Sequence, residues 1–327
     1  MNKNIRFAFL LVVSLFAISA NSAPMAYSVN SDSLDGDSLY LIDLATGVDQ
    51  MRGKLDTGLE FLTDTEGLAF APDPDGNHPD GNLWGIDDPL EILFPVSTAN
   101  GSVDYREQIQ LPPLPGGPDQ ELIGGNDFGM TFACDNTLFF TSVKSQSLFQ
   151  GEPEAGFTIV GAVGALGVNI SAIAAIGNPT KLYGIGNGLF ENGATDAPNL
   201  YSIDTSTGVA SVIGPLSETN EFKYNEAGLA FDSEGGLWAI TDRSQIDSQK
   251  SQILSIDVAK GTATLVAETV NEIGYESLAI APPANCSIQV ALDADYEPIP
   301  TLNLVGRISA MLILMLAGML FLRRRYL

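Results

Sequence analysis

A short phrase of small and apolar residues recurs along the middle of the chain. Its clearest copies are Gly-Leu-Ala-Phe at 67–70, followed by Leu-Trp-Gly-Ile-Asp at 83–87, and Gly-Leu-Ala-Phe at 228–231, followed by Leu-Trp-Ala-Ile-Thr-Asp at 237–242. Weaker copies occupy 129–132 with 138–140 and 171–176 with 181–185, and a half copy occupies 276–280. Self-similarity of this kind indicates a repeat architecture.

A second phrase follows the first and ends in an Asp-x-x-x-Gly turn. Its copies occupy 39–47, 200–208 and 253–261. Apolar and polar residues alternate within it, as in Leu-Tyr-Ser-Ile at 200–203, which indicates a β-strand rather than a helix. Asp bonds the backbone two residues further on, and Gly supplies the positive φ of a hairpin corner. A short apolar strand follows, so each unit is predicted to have four short strands.

The spacing of the units predicts a β-propeller. Successive equivalent positions are separated by 62, 43, 56 and 49 residues, the positions being Gly67, Gly129, Ala172, Gly228 and Ser277. Four-stranded units of about 40–50 residues are typical of propeller blades. We therefore expect an all-β fold of five four-stranded blades, while a divergent blade within 100–170 would make six.

The two ends of the repeat region complement each other. Residues 275–281 supply one strand, and residues 24–55 supply three. Together they make one full blade, so the ring is expected to close by strand exchange, which removes open sheet edges. The repeats resemble those of exported bacterial propellers with NHL-like and YVTN-like repeats. This resemblance covers the repeat region in general terms and implies a fold rather than an activity.

Aromatic residues recur at one position of the first phrase. They are Trp84, Phe139, Tyr183 and Trp238. Equivalent positions with alternating neighbours favour core packing, so we expect these rings to lie between neighbouring blades. A platform for binding sugars is the alternative interpretation.

Both ends of the chain carry an apolar run next to basic residues. Lys3 and Arg6 precede the apolar residues 7–18 and the small residues 19–23, which is typical of a secretory signal helix. Residues 302–322 are long enough for a transmembrane helix, although Asn303 and Arg307 interrupt it. The predicted domains are a signal peptide (1–23), the propeller (24–286), an acidic linker (287–298) and a tail (299–327).

The tail resembles the IPTL-CTERM sorting signals, which are relatives of PEP-CTERM tails in Gram-negative bacteria. Its matching parts are the apolar helix, the motif Ile299, Pro300, Thr301 and Leu302, and the cluster Arg323, Arg324 and Arg325. Val305-Gly306 stands where this class usually has Trp-Gly. The resemblance implies an exosortase-like enzyme and the export machinery as partners. It also implies an inner-membrane-anchored intermediate and a final place at the cell surface or outside the cell. A permanent anchor is the alternative, with the arginines kept in the cytoplasm.

Charge and composition exclude several classes of function. The residues from 24 to 300 carry 9 of the 15 basic and all 40 acidic residues, a net charge of −31. Such a surface repels nucleic acid. The single histidine, His78, excludes zinc sites built on histidine clusters and argues against a Ser-His-Asp triad. Cys134 and Cys286 are expected to form a disulfide in an exported protein, with two buried thiols as the alternative.

Carboxylates precede several of the predicted inner strands. In a propeller the first strand of each blade lines the central channel, so Glu66, Asp127, Asn169, Glu226 and Glu276 are expected at one mouth of it. Such a ring of oxygen atoms suits Ca²⁺. Alternatively, these groups cap strand ends in water. Glu66-Gly-Leu distantly resembles the metal-binding Glu-Gly-Pro of gluconolactonase-like propellers, although the proline is absent here.

A second candidate calcium site is the turn between 73 and 82. Asp73, Asp75, Asn77 and Asp80 supply oxygen atoms at spacings that partly match calcium loops. The bidentate Glu of such loops is missing, and an exposed turn explains the Pro and Gly residues equally well.

These observations favour an exported, non-enzymatic binding module that contacts a surface polysaccharide or a protein. The alternative is a Ca²⁺-dependent lactonase or esterase of the gluconolactonase type, with Glu66 and Glu276 as metal ligands. No catalytic residue is predicted from the sequence, and Ca²⁺ is the one cofactor that it suggests.

Overall fold

The computed structural model describes residues 23–30, 36–57, 62, 64–72, 83–111, 127–186, 198–219, 221–243, 250–281 and 286. The predicted signal helix before residue 23, the linker, the sorting tail and the candidate calcium loop at 73–80 lie outside these residues. Within the described ranges, no helix has the length and apolar character needed to cross a bilayer.

In the described residues, antiparallel strands form five sheets, one for each blade. Blade one contains β1 (Met25–Asn30), β2 (Ser38–Asp43) and β3 (Asp49–Lys54). Blade two contains β4 (Thr65–Phe70), β5 (Leu83–Asp87), β6 (Ile92–Val96) and β7 (Ile109–Gln110), with a 3-10 helix (Tyr105–Glu107) before β7. Blade three contains β8 (Met130–Phe132), β9 (Leu138–Ser142), β10 (Ser147–Glu152) and β11 (Gly156–Ile159). Blade four contains β12 (Ile170–Ile176), β13 (Lys181–Gly186), β14 (Asn199–Ile203) and β15 (Ala210–Pro215). Blade five contains β16 (Ala227–Phe231), β17 (Leu237–Thr241), β18 (Gln252–Ile256) and β19 (Ala263–Glu268).

Blade one is completed by the far end of the repeat region. Tyr27 N donates to Ala279 O, and Ala279 N donates to Tyr27 O, both at 2.8 Å. Ser28 Oγ also donates to the Ser277 carbonyl oxygen. The predicted strand exchange and the count of five blades are therefore confirmed. The described residues between 100 and 170 belong to blades two, three and four, so the six-bladed alternative is wrong.

Among the described residues, the core consists of five apolar clusters, and each lies between two neighbouring blades. The cluster between blades five and one, for example, joins Ala26 and Ile42 to Ile240, Ile253 and Leu278. The other four join blades one to two, two to three, three to four and four to five in the same way. Burial of apolar surface thus stabilises the contacts between sheets, because a single four-stranded sheet has two apolar faces to cover.

Aromatic rings contribute to these clusters across the blade boundaries. Trp84 of blade two lies 6.5 Å from Phe132 of blade three, measured between ring centroids. Tyr183 of blade four lies 5.6 Å from Phe231 of blade five in an edge-to-face arrangement. The rings at this repeat position therefore pack between blades, as predicted, and edge-to-face pairs add to the stability gained from burial.

The Asp-x-x-x-Gly turn does two things at once in blade one. Gly47 N donates to Asp43 O at 2.8 Å, and Ala45 N donates to Asp43 Oδ1 at 2.8 Å. Gly47 has a φ of +70°. A Cβ atom on Gly47 would lie 2.0 Å from the carbonyl oxygen of Glu268 in blade five. Glycine is therefore required both by the turn and by the neighbouring blade.

The inner strands surround a narrow channel with two different ends. A Cβ atom on Gly228 would lie 2.2 Å from the carbonyl carbon of Ser277, so the inner strands approach each other too closely for a side chain there. The first residues of the inner strands line a polar end, and the later residues line an apolar end that includes Phe70, Phe132 and Ile280. The structure joins Cys134 and Cys286, which follow two of these strands at the apolar end, with 4.8 Å between their Cα atoms.

Candidate metal centre

Side chains from four blades and from the segment that closes the ring (275–281, the closing segment) meet at the polar end of the channel. Glu66 lies on β4, Ser171 lies on β12, and Glu276 lies just before the residues that pair with β1. Asp127 and Glu226 precede β8 and β16. Because all inner strands begin at this end, the residues at their starts converge on the channel axis.

Two β-bulges aim side chains at this end. The register shifts between Thr65 and Gly67 in the pairing of β4 with β5, and between Ile170 and Ala172 in the pairing of β12 with β13. Glu66 and Ser171 are the extra residues in these two shifts. A bulge re-aims the side chain that it inserts. Glu66 and Ser171 consequently line the same cavity although they lie in different blades.

Three carboxylates meet at the mouth of the channel, and we call Glu66, Asp127 and Glu226 the axial group. One carboxylate oxygen of each lies within 4.8 Å of one oxygen of each of the others. Ca²⁺ binds oxygen atoms at about 2.3–2.6 Å, so two ligands on opposite sides of one ion are about 4.6–5.2 Å apart. The three carboxylates of the axial group are therefore close enough to share a single calcium ion.

The axial group is electrostatically unfavourable without a cation. Burial raises the pKa of Glu66 well above the usual range of a glutamate, and the charges of Asp127 and Glu276 raise it further. Burial also raises the pKa of Glu226, and the charges of Glu276, Glu66 and Asp127 add to this effect, as does a hydrogen bond to Asp127. Low-dielectric surroundings and like charges both disfavour ionised carboxylates. A bound cation would reverse this preference and displace the protons.

Two further polar groups border the axial group. Phe128 N donates to Glu66 Oε2 at 2.7 Å, which fixes the orientation of this carboxylate. Ser171 is 5 % exposed, and its Oγ has no hydrogen-bond partner among the described residues. A buried hydroxyl without a partner costs free energy, and a bound ion or water would relieve that cost. The cavity is about 10 Å³, which is close to the size that holds one water molecule.

A second group of carboxylates lies next to the first, and we call Asp64, Glu66 and Asp88 the rim group. Their oxygen atoms also lie within 4.8 Å of one another. Asp88 N donates to Asp64 O at 3.0 Å, which holds the start of β4 against the end of β5. Glu66 belongs to both groups, and the charges of Asp64 and Asp88 contribute to its raised pKa.

All three residues of the axial group were predicted from the sequence, but other parts of the site were not. The structure brings Glu66, Asp127 and Glu226 together, and it places Glu276 in the lining of the same cavity. Asn169 differs, because its Oδ1 accepts a hydrogen bond from Gln146 Nε2 at 2.8 Å. The residues of the candidate calcium loop, Asp73, Asp75, Asn77 and Asp80, lie outside the described residues.

Ser171 and Asp64 were not predicted from the sequence. Ser171 precedes Ala172 by one residue, as Glu66 precedes Gly67 and Glu276 precedes Ser277. Choosing the residue immediately before Ala172 would have given Ser171 instead of Asn169. Asp64 lies before the repeated phrase, and only the pairing of Thr65 with Asp87 brings it close to Asp88.

Comparison with known proteins gives resemblances of fold. No protein-family model matches the sequence, and no curated protein matches it either. Solved structures that resemble it include a virginiamycin B lyase from Staphylococcus aureus, at 14 % identity over 75 % of this chain and 71 % of that one, with a TM-score of 0.38. A gluconolactonase from Xanthomonas campestris gives 11 % identity over 76 % and 78 % of the chains, with a TM-score of 0.42. A protein of unknown function from Bacteroides caccae gives 11 % identity over 79 % and 100 %, with a TM-score of 0.46. Resemblance at this level concerns the fold alone and assigns no activity.

Proposed function

We propose that this chain is an exported β-propeller that binds a divalent cation, Ca²⁺, at the axial group and acts as a non-enzymatic interaction module. The observation that carries the proposal is the convergence of three carboxylates from three blades, with oxygen atoms within 4.8 Å of one another. Glu66 is buried, whereas Asp127 and Glu226 are partly exposed. Desolvation and the neighbouring carboxylates raise the pKa of both glutamates, which is the condition that cation binding relieves.

The chemistry of the donors favours Ca²⁺ over other common cations. Ca²⁺ accepts six to eight oxygen ligands in a flexible geometry, whereas Mg²⁺ demands a tight octahedron at about 2.0–2.1 Å. Zn²⁺ prefers nitrogen and sulfur ligands. The carboxylates of Glu66, Asp127, Glu226 and Glu276, together with Ser171 Oγ, supply oxygen only.

The cavity beside the axial group is the size of a single small ligand. At about 10 Å³ it admits an ion or a water molecule but no organic substrate. A larger ligand therefore meets the ion only from the mouth of the channel. We expect the ion to offer its free coordination positions there to hydroxyl or carboxylate oxygens of a surface polysaccharide or protein.

Calcium titration by calorimetry on metal-free protein tests this proposal. Wild-type protein is expected to bind Ca²⁺, and Glu226→Gln, which removes one axial ligand, should lower the affinity at least about tenfold. The matched control is Glu154→Gln, because Glu154 is an exposed glutamate in the turn between β10 and β11. Absence of calcium binding, or full affinity in Glu226→Gln, would contradict the proposal.

A substrate screen separates the binding module from the hydrolase alternative. Lactones and esters are incubated with the calcium-loaded wild type and with Glu226→Gln. The binding module predicts no turnover above the background of the variant. Calcium-dependent turnover that Glu226→Gln abolishes would instead favour a hydrolase of the gluconolactonase type.

The proposed location rests on the two ends of the sequence. The signal at 1–23 and the IPTL-CTERM-like tail at 299–327 support export, a membrane-bound intermediate and sorting by an exosortase-like enzyme. Intact-mass measurement on protein from its native host is expected to show loss of residues 1 to about 23 and of those beyond about 302. A mass that retains Arg323 to Leu327 would leave only the permanent anchor.

A further inference from the structure

We propose that a groove on the outside of the ring, between blades one and two, binds a neutral sugar unit of a polysaccharide. We call it the side groove. It is lined by the end of β3 with the residues that follow it and by the segment after β6, namely Lys54, Asp56, Thr57, Asn100, Ser102 and Val103. This inference rests on the proposed role as an interaction module, but it uses none of the axial ligands and is independent of the cation.

The two walls of the side groove are joined by backbone contacts. Val103 N donates to Asp56 O at 3.1 Å, and Asp56 pairs with Ser102 as an isolated parallel bridge. A Cβ atom on Gly53 would lie 1.9 Å from the carbonyl oxygen of Asn100, so the backbones of the two blades are in direct contact here. Because the fold already positions both walls, binding a ligand requires little further ordering of the chain.

One wall is formed by a variant of the repeated Asp-x-x-x-Gly turn. Gly101 N donates to Ser97 O at 2.8 Å, as Gly208 N donates to Asp204 O in blade four. In blade four the outer strand β15 follows almost at once, whereas in blade two a 3-10 helix comes between the turn and β7. This longer connection supplies Ser102 to the side groove.

The size of the side groove suits a small organic ligand. Its volume is about 460 Å³, compared with about 10 Å³ for the axial cavity. Pockets for small molecules typically measure about 300–1,000 Å³. Asn100 and Ser102 are exposed, whereas Thr57 and Val103 are buried, so the groove has an open side and a closed floor. A sugar unit within a longer chain can therefore lie in it, because the neighbouring units leave through the open side.

The polar groups of the side groove match the chemistry of hydroxyl groups. The ammonium group of Lys54 only donates hydrogen bonds, the carboxylate of Asp56 only accepts them, and the hydroxyl of Thr57 does both. Asn100 Oδ1 accepts hydrogen bonds from Ser102 N at 3.1 Å and from Ser102 Oγ at 2.9 Å, which fixes the amide and leaves its Nδ2 group to donate to a ligand. A hydroxyl both donates and accepts, so a sugar ring with several hydroxyls can satisfy all of these groups.

The charge of the side groove favours a neutral sugar over an acidic one. Lys54 and Asp56 contribute one charge of each sign, so the formal charge of its lining is zero. The residues from 24 to 300 carry 9 basic and 40 acidic residues, a net charge of −31. The surface as a whole therefore repels an acidic polysaccharide, and the single lysine of the groove is already offset by Asp56.

Affinity electrophoresis of the full-length protein in a detergent without sugar groups tests the inference. The native gels contain dextran, mannan or galactan as neutral probes, or polygalacturonate as the acidic probe. All gels contain EDTA, which removes the axial ion. At least one neutral polysaccharide should retard the wild type. Asn100→Ala/Ser102→Ala should lower the affinity at least about tenfold, because it removes two hydrogen-bonding groups from the groove.

Two further variants control the experiment. Thr207→Ala is the matched control, because Thr207 is exposed and precedes Gly208 as Asn100 precedes Gly101. It should be retarded like the wild type. The single variant Asn100→Ala, with a smaller loss of affinity, replaces the double variant if that one does not fold.

Each outcome has a defined meaning. Retardation by a neutral polysaccharide that is lost in Asn100→Ala/Ser102→Ala and kept in Thr207→Ala supports the inference. Equal retardation of the wild type and the double variant would place the sugar elsewhere and overturn it. Retardation by polygalacturonate alone, or by no probe, also overturns it.

Calcium titration of the double variant keeps this inference apart from the proposed cation site. Asn100→Ala/Ser102→Ala should bind Ca²⁺ like the wild type, because it leaves the axial group unchanged. Calcium binding without retardation in any gel would overturn only the side groove. Retardation without calcium binding would overturn only the axial site.

Discussion

Asp37 shows at the scale of one residue what burial does to a carboxyl group in this protein. Burial raises the pKa of Asp37 to about 8, and the charges of Asp64 and Asp87 add to the effect. The hydrogen bond from Thr65 N to Asp37 Oδ2 acts in the opposite direction but does not compensate. In the metal-free protein, Asp37 therefore keeps its proton up to neutral pH.

This residue makes a prediction about stability and pH. The pKa of Asp37 lies above the value near 3.9 of an aspartate in an unfolded chain, so the folded state holds a proton that the unfolded state releases. The contribution of Asp37 to stability is then fully present below about pH 4 and is lost as the pH rises to about 8. In EDTA, the free energy of unfolding should fall between pH 5 and pH 8 by a smaller amount in Asp37→Asn than in the wild type, the difference being on the order of a few kcal/mol.

Urea unfolding at several pH values measures this effect. Asp135→Asn is the control, since Asp135 is exposed in the turn between β8 and β9. It should follow the wild type at each pH. Equal slopes for Asp37→Asn and the wild type would show that Asp37 does not keep its proton in the folded state.

The sequence predicted Glu66 and Glu276 in phase with the repeat, and Asp127 and Glu226 one residue out of phase. Glu66 and Glu276 precede equivalent small residues of inner strands, so their convergence followed from the fold. Ser171 escaped notice because Asn169 is the more familiar oxygen ligand, and the bulge beside Ser171 depends on the pairing of β12 with β13. A register shift is a property of the pairing between two strands, so it cannot be predicted from the sequence of either strand alone.

At the scale of elements, the Asp-x-x-x-Gly turns before the outer strands pack against the neighbouring blade. The turn before β3 is representative, because Gly47 N is bonded to Asp43 O while the glycine Cα faces the backbone of blade five. The position must therefore satisfy a left-handed backbone and a contact with another sheet.

Alanine at Gly47 separates these two requirements when it is compared with alanine at Gly167. Gly47 and Gly167 have nearly the same φ, +70° and +69°, but a Cβ on Gly167 would meet nothing within 4 Å. Gly167→Ala should therefore cost about 1 kcal/mol of stability for the left-handed backbone alone. Gly47→Ala should cost more, roughly 2–4 kcal/mol, because the blades must also move apart.

Thermal or urea unfolding of the two variants provides the comparison. An equal loss of stability in both would show that the contact with Glu268 adds nothing. A larger loss in Gly47→Ala would assign the difference to the contact between blades one and five.

Most strands of this fold were predictable, because the inner strand of each blade needs small residues beside the channel and the next strands alternate. The closing segment was predictable from strand counting, although only Ala279 pairs with β1 as an isolated bridge. The rim group was not predictable from the pattern. Asp64 and Asp88 lie outside the repeated phrases and meet Glu66 only through the hairpin of β4 and β5.

At the scale of the whole molecule, closure joins residues that are far apart in the sequence. The segment around Ala279 pairs with β1, and the disulfide joins Cys134 to Cys286 across 152 residues. One link involves the closing segment (275–281), and the other involves Cys286, which lies beyond it in the sequence. Hydrogen bonds thus join the closing segment to β1, and a covalent bond joins Cys286 to Cys134, which follows β8.

Removal of the disulfide is expected to lower stability without opening the ring. For a loop of this length the entropic model gives about 5 kcal/mol. Cys134→Ser/Cys286→Ser should show a lower urea midpoint with far-ultraviolet circular dichroism like that of the wild type. The single variant Cys134→Ser should lose about as much stability as the double variant, since either change removes the bond. An unchanged midpoint, or free thiols in the unfolded and unreduced wild type, would contradict this expectation.

Strand exchange also sets an order of events during biosynthesis. Blade one begins to emerge from the ribosome first, yet its innermost segment, with Ala279, emerges last among the repeats. The cluster between blades five and one, which needs Tyr275, Leu278 and Ile280, therefore forms only after the last repeat has been synthesised. Glu276 reaches the axial cavity in that same step. The full set of carboxylates is therefore assembled when the ring closes. A cation bound at the axial cavity would then indicate that the molecule has finished folding.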